Sequence, residues 1–149
     1  MVRWSEFEAA APQLAAFGAG RLAIPPAYLA TVRGSGAPRV HPVTPIVGDG
    51  GLYLFMEPTS PKGRDIRERG WYALHNGVPD TLGTGGEFSV GGRAVLVDDP
   101  GGRAAAARAA SYEPADRYVL FELMVMEARC NGYGDVPLPE PRHWTHGNE

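Results

Sequence analysis

Apolar and polar positions along the chain change period several times, and the changes divide it into elements. Ser5 followed three residues later by Glu8 reads as a capping box that opens a first helix, and Pro12 suits the first turn of a second short helix running toward Phe17. Leu14, Phe17 and Leu22 are the expected buried side of the second helix, and the N-terminal helices are expected over residues 1–20, Leu22 following directly after them. The period then becomes two. Residues 27–33, the turn Gly34-Ser-Gly36 and residues 38–47 predict strand, tight turn and strand. After a second turn at Gly48-Asp-Gly-Gly51, Leu52-Tyr-Leu-Phe-Met56 is too short and too aromatic to prefer helix, so the sheet continues.

Ser60-Pro61 predicts a short polar helix over Lys62 to Arg69, and Trp71-Tyr-Ala-Leu-His75 predicts another strand. A glycine-rich loop fills 76–86. The long run from Glu87 to Val97 is expected as one strand, with Gly91-Gly92 marking a bulge or a sharp bend that lets a sheet curl. Asp99-Pro100 opens an alanine-rich helix to about Ala110. Residues 118–129 are expected as a further strand, because Val119, Phe121, Leu123 and Val125 alternate with less consistently apolar neighbours. The tail, 135–149, holds Pro137, Pro139 and Pro141 and is expected to be extended, lying on the body or reaching to a partner. Six or so strands in local hairpins with small helices between them predict a mainly β fold, a compact barrel in one domain over 1–149.

Composition narrows the function classes. A net charge of -3 and a pI near 5.8 provide no broad basic field, so neither nucleic acid nor an anionic membrane is an expected partner, and any anion site must be local. Cys130 is the only cysteine, which removes internal disulfides and multi-cysteine metal sites and fits a reduced, cytoplasmic setting. No stretch approaches the roughly 20 apolar residues needed to cross a bilayer, and residues 1–20 do not read as a secretory leader.

Local chemistry concentrates in residues 39–62. Ser60 at the N-cap and Pro61 at the first helical position leave backbone N–H groups and the positive end of the helix dipole open, with Lys62 and Arg64 adding charge. A phosphate would be favoured there, although the same residues would also serve a plain capped surface helix. Pro42 and Pro45 cannot donate to a ladder, so one side of 39–46 must be an edge, a bulge, or a surface for a planar partner rich in donors and acceptors. Alternation sets Arg39, His41 and Val43 on one face and Val40, Pro42 and Thr44 on the other. Arg39 can therefore address the same anion as Lys62.

Other residues carry less. His143 and His146 lie three apart in a proline-rich tail with Glu140 and Glu149 as the acids nearby, and no metal site is expected. Gly83-Thr-Gly-Gly86 and Gly48-Asp-Gly-Gly51 do not sit between strand and helix as a nucleotide loop would. Ser35 and Ser111 have no G-x-S-x-G context. Cys130 reads as a packed small residue and His75 as a satisfied core or interface histidine, while Trp144 could stack on a cofactor, on a partner, or on the barrel.

The series Arg39-Val-His-Pro-Val, Leu-Tyr-Leu-Phe-Met, Ser60-Pro-Lys62 with its basic helix, and Glu87-Phe-Ser-Val-Gly-Gly-Arg-Ala resembles the pyridoxamine 5'-phosphate oxidase-like, FMN-binding split β-barrel family. The opening Trp4 to Leu22 and Leu29-Ala-Thr-Val-Arg33 extend the resemblance over roughly residues 4 to 98. It implies a homodimer of split barrels with FMN in two interface clefts, and an oxidoreductase acting on a small substrate. Arg39 and Lys62 match the family's basic phosphate ligands and Ser60 its hydroxyl ligand. Val40, His41, Pro42 and Val43 match the strand that passes the isoalloxazine ring, Met56 a strand end lining the cofactor, and Glu87 a polar contact across the dimer. The resemblance names no catalytic side chain in this sequence. Pro61 stands in place of a second basic residue, Thr44 in place of a frequent lysine, and Arg142-His-Trp144 does not reproduce the oxidases' substrate-phosphate site, so pyridoxamine phosphate oxidation is not implied. A non-catalytic flavin or heme binding or sensing protein, a deazaflavin-dependent reductase, and a ligand-free interaction domain dimerising through its barrel face are the alternatives.

Overall fold

The computed structural model describes residues 1–147. Two helices open the chain, α1 (Trp4–Ala10) and α2 (Pro12–Leu22). Strands β1 (Ala27–Val32), β2 (Pro38–Val43), β3 (Ile46–Gly48) and β4 (Gly51–Met56) follow, then α3 (Pro61–Arg69), β5 (Trp71–His75), β6 (Glu87–Val97), α4 (Pro100–Ala109), β7 (Val119–Leu123), β8 (Glu127–Asn131) and β9 (His143–Thr145). All pairings between strands are antiparallel, and the main path runs β2-β1-β5-β6-β7-β4-β3.

The two ends of that path, β2 and β3, are neighbours in the chain with only Thr44 and Pro45 between them. Two residues reach about 10 Å at most. A flat sheet would hold its outer strands several strand widths apart, so this one curls until its edges meet. The run expected as one strand over 38–47 is thus two strands on opposite edges, divided where Pro45 has no N–H to continue a ladder.

β4 shows why its sequence lacks alternation. Leu52, Leu54 and Met56 enter the main core with Leu29, Leu74, Phe88 and Phe121, whereas Tyr53 and Phe55 enter a second cluster with Ile46, Leu120 and Ala106 of α4. Both faces are covered. Helices α1 and α2 close the main core with Trp4, Phe7 and Leu14. α1 begins earlier than Ser5 because Val2 is held in a bridge to Val125. Arg3 is its N-cap, and the Arg3 N–H donates to Glu6 Oε1 at 3.1 Å; the guanidinium cannot accept a bond in return, so the expected Ser5–Glu8 capping box gives way to a one-sided cap two residues upstream. α2 runs past Phe17 to Leu22.

The stretch expected as one strand over 118–129 is interrupted. β7 pairs Leu123 with Ala94, whereas β8 pairs Glu127 with Gly91, so the strand alongside β6 carries one extra residue between them, a bulge across Met124–Met126. Gly92 faces it. A Cβ there would stand 2.2 Å from Met124 O and 3.0 Å from Met126 N. The glycine pair therefore admits a bulge in the facing strand. The tail lies on the body: Trp144 of β9 is opposite Ala128, and its ring centroid is 5.1 Å from that of Phe7.

Gly92→Ala should lower stability by about 1–3 kcal/mol, the usual cost of overpacking. Gly91→Ala, whose Cβ meets Tyr72 O at an ordinary 3.4 Å, should change it by about 0.5 kcal/mol or less. Urea unfolding of the two variants checks the contrast, and equal effects would contradict the bulge assignment.

Candidate functional site

β2 is an edge strand, bonded to β1 and to no second strand among the described residues, as Pro42 requires. Its residues alternate in burial, with Arg39, His41 and Val43 half-buried on the inner side and Val40 and Pro42 exposed on the outer. Beneath the inner side lies α3. Ser60 is its N-cap, and Ser60 Oγ accepts from the Gly63 N–H at 3.2 Å. The Arg64 N–H bonds Ser60 O at 3.1 Å and Pro61 has no N–H. The Lys62 N–H is left as an open first-turn donor among the described residues.

Asp65 ties this helix to the sheet. Its carboxylate, 3% exposed, accepts from Thr31 Oγ1 of β1 at 2.7 Å, from Arg39 Nε of β2 at 2.8 Å and from Arg69 Nη2 at 3.1 Å. Burial raises the Asp65 pKa, but the bonds from Thr31 and Arg39 and the Arg39 and Arg69 charges outweigh it, and the net shift is downward. Lys62 and Asp65 are three apart and share a helix face. Arg39 is thereby held against the Lys62 side of α3 with its two Nη groups free of protein partners among the described residues.

His41 and Met56 complete the group. His41 Nε2 is enclosed without a hydrogen-bond partner. Burial, then the Lys62 and Arg39 cations, lower the His41 pKa, with Asp65 opposing and Arg33 assisting. Burial likewise lowers that of Lys62, opposed by Glu57, itself bonded to Arg117. Met56 Sδ lies beside Gly63, where a Cβ would stand 3.2 Å from the sulfur and 2.9 Å from Ser60 Oγ. Four cation-bearing or polar side chains, Arg39, His41, Ser60 and Lys62, thus share one rim at a helix start, and an unpartnered imidazole nitrogen and an open Lys62 N–H fit a group bringing acceptor oxygens.

Glu87 stands apart, on the outer face of β6. Its Oε1 lies 2.9 Å from His75 Nε2, and His75 Nδ1 accepts from the Gly77 N–H at 3.0 Å. Both nitrogens of His75 are engaged. Val43 packs against the core, whereas Val40, 65% exposed, and Pro42 share an outer surface with Tyr28 and Trp71. Cys130 is buried and its thiol pKa is pushed up by that burial, the opposite of a nucleophile's setting. Sequence reasoning passed over Thr31, Asp65 and Arg69. An aspartate inside Lys-Gly-Arg-Asp-Ile-Arg-Glu-Arg reads as one more solvated charge, and only the i,i+4 spacing to Arg69 hinted otherwise.

The family profile described as Pyridoxamine 5'-phosphate oxidase matches residues 14–131. The chain belongs to the pyridoxamine 5'-phosphate oxidase family. Its fold is a split β-barrel, and solved structures share it. A heme binding protein from Mycobacterium smegmatis superposes with a TM-score of 0.65 at 19% identity, over 87% of this chain and 57% of that one, so the chain spans little more than half that protein's length. A nimC/nimA family protein from Clostridium acetobutylicum gives 0.62 at 19% identity over 78% and 87%. General Stress Protein 26 from Bacillus anthracis gives 0.59 at 16% identity over 87% and 96%. None of the curated proteins matches the chain. Among the described residues no helix is long and apolar enough to cross a membrane.

Asp65→Asn should lower stability by about 2–4 kcal/mol at neutral pH, since the arginines lose a buried counter-charge. The folded pKa of Asp65 is depressed, so its contribution is complete above the unfolded value of about 4 and is lost as pH falls through the lower folded value. The gap between wild type and variant in denaturant midpoint should therefore narrow in acid. A gap that widens there would refute the assignment.

Proposed function

We propose that this protein binds FMN and serves as an oxidoreductase of a small substrate, working as a homodimer. The observation that supports this most is the rim where Arg39, His41, Ser60 and Lys62 gather at the start of α3. It offers charge and donors to a phosphate and has an enclosed imidazole nitrogen still without a partner. In this reading Arg39 and Lys62 neutralise the phosphate, Ser60 orders the helix start, Met56 lines the pocket, and the free edge of β2 from Val40 to Val43 faces the ring system. Bound flavin would supply the hydride or electron chemistry, so no side chain of this chain is assigned as a nucleophile.

The outer face supports the homodimer. Val40 and Trp71 are 65% and 42% exposed on the same outer face, one on each side of β1, an apolar surface suited to a second copy. Glu87 lies on the outer face of the same sheet and is proposed to reach the partner's cofactor.

A heme reading has the Mycobacterium smegmatis structure in its favour. It requires an iron ligand: His75 has both nitrogens occupied, and His41, whose Nε2 has no partner among the described residues, sits among the rim cations Arg39 and Lys62, a setting suited to a phosphate. The flavin reading is preferred.

Freshly purified protein, or protein given FMN, should show flavin absorbance and a solution mass of two chains. Lys62→Ala should weaken FMN binding by roughly 1–3 kcal/mol in a fluorescence titration, the scale of a lost charge-assisted hydrogen bond. Absence of flavin absorbance together with no uptake of added FMN would remove the proposal, and a Soret band would replace it with heme.

A further inference from the structure

Arg21, in the last turn of α2, makes a single side-chain hydrogen bond among the described residues, a long 3.4 Å one from Nη2 to Thr84 O. No carboxylate among the described residues lies within ion-pair distance of it, and its Nε is enclosed with no acceptor at all. The helix dipole accounts for a cation at this end of α2, but not for an enclosed donor left open. Gly85 shapes the place: it has a φ of +86°, and a Cβ there would stand 2.3 Å from Arg21 Nη1. The left-handed φ by itself favours glycine here, and the missing side chain leaves the guanidinium lying against the loop backbone.

The guanidinium lines a groove of about 340 Å³ whose other walls are largely apolar, among them Ile24, Pro26, Tyr28 and Val78. Ile24 is 59% exposed and Val78 40%. The loop over the groove is already ordered by its own bonds. Asp80 Oδ1 accepts from the Leu82 and Thr84 N–H groups at 3.0 and 3.1 Å, and buried Asn76 accepts from the Phe88 N–H at 2.7 Å while donating to Gly77 O. Asp80, the loop's acid, is thus committed to its own turn and is not Arg21's partner. A preformed apolar groove with one unmatched cation is the complement of a small anion with an apolar body.

We propose that this groove is a binding site for a small organic carboxylate, its head paired with Arg21 and its body resting on Ile24, Pro26, Tyr28 and Val78. The proposal goes beyond the flavin reading and does not require it. Its position is nonetheless informative: Tyr28 is opposite Pro42 of β2, so the groove opens beside the far end of the strand that begins at the Arg39 rim.

The test is a titration of isotope-labelled protein with benzoate, followed at the Gly77 and Gly85 amides, with benzyl alcohol as the neutral body and acetate as the head alone. Benzoate should give saturable shifts. Benzyl alcohol and acetate on the wild type, and benzoate on Arg21→Gln, should each bind about tenfold or more weakly, and Arg21→Lys should recover part of that loss. Amide dispersion of the variants reports that they fold, and the flavin absorbance of the same sample reports cofactor separately. No saturable benzoate shift, or equal binding by wild type and Arg21→Gln, or by benzoate and benzyl alcohol, would overturn the proposal.

Discussion

Thr44 and Pro45 are all that separates the two outermost strands of the sheet path, and much of the molecule follows from that short tether. Because β2 must end within two residues of where β3 begins, the seven-strand path cannot lie flat, and its inner face becomes the inside of a half-barrel. Curling has a local cost in β6, which must serve β5 and β8 in one half and β7 in the other. The bulge at Met124–Met126, admitted by the missing side chain at Gly92, lets the strand facing β6 bend with it. Closure through the covalent chain rather than through a β2–β3 ladder also leaves β2 with an unpaired edge. That open edge is where the proposed cofactor lies.

A free edge beside a helix start would be mobile without something to fix their separation, and the Asp65 carboxylate does this. One buried acid accepts from β1, β2 and α3, so the positions of Arg39 and Lys62 are set by the same three bonds. The arrangement orients one half of the Arg39 fork inward and leaves the other half outward, which is how an arginine can be both structural and available to a ligand. It also sets the balance of charge. With Asp65 spent on Arg39 and Arg69, and Glu57 on Arg117, the rim keeps a net positive character although the whole chain is acidic.

How much of this could be read beforehand depended on whether a feature repeats. The strands over 71–75 and 87–97 are legible because short runs rich in aromatic and β-branched residues stand between turn residues, and the break at 44–45 is signalled by proline, though its topological meaning is not. The bulge did leave a trace. Buried positions are odd at Phe121, Leu123 and Val125 and even at Ala128 and Cys130, a change of phase that reading 118–129 as one strand overlooked. β9 is three residues between prolines and polar groups, too short for any period, and is held by the Trp144 ring on Phe7. At the site, Arg39, Ser60 and Lys62 announce themselves by type and place. Asp65 and Arg21 do not, because what distinguishes them is burial and the presence or lack of a partner, properties that exist only once the chain is folded.

The two proposed recognition features are linked by the geometry of β2. From Arg39 to Pro42 is three residues, about 10 Å along a strand. The cationic rim sits at the first of these positions, and at the last Tyr28, directly opposite Pro42, turns the surface toward the Arg21 groove. A phosphate-bearing molecule anchored at the rim and laid along the open edge would extend its far end toward that groove. The chain therefore separates its two cation sites by a hydrophobic interval, and neither cation group would have to be discharged by the other's ligand. In water alone, like charges placed so would be a needless cost. Arg39 lies on the inner side of β2 and Tyr28 on the outer, so the rim and the groove are joined only along the strand's open edge, the rim suited to the more highly charged head and the groove to a singly charged one.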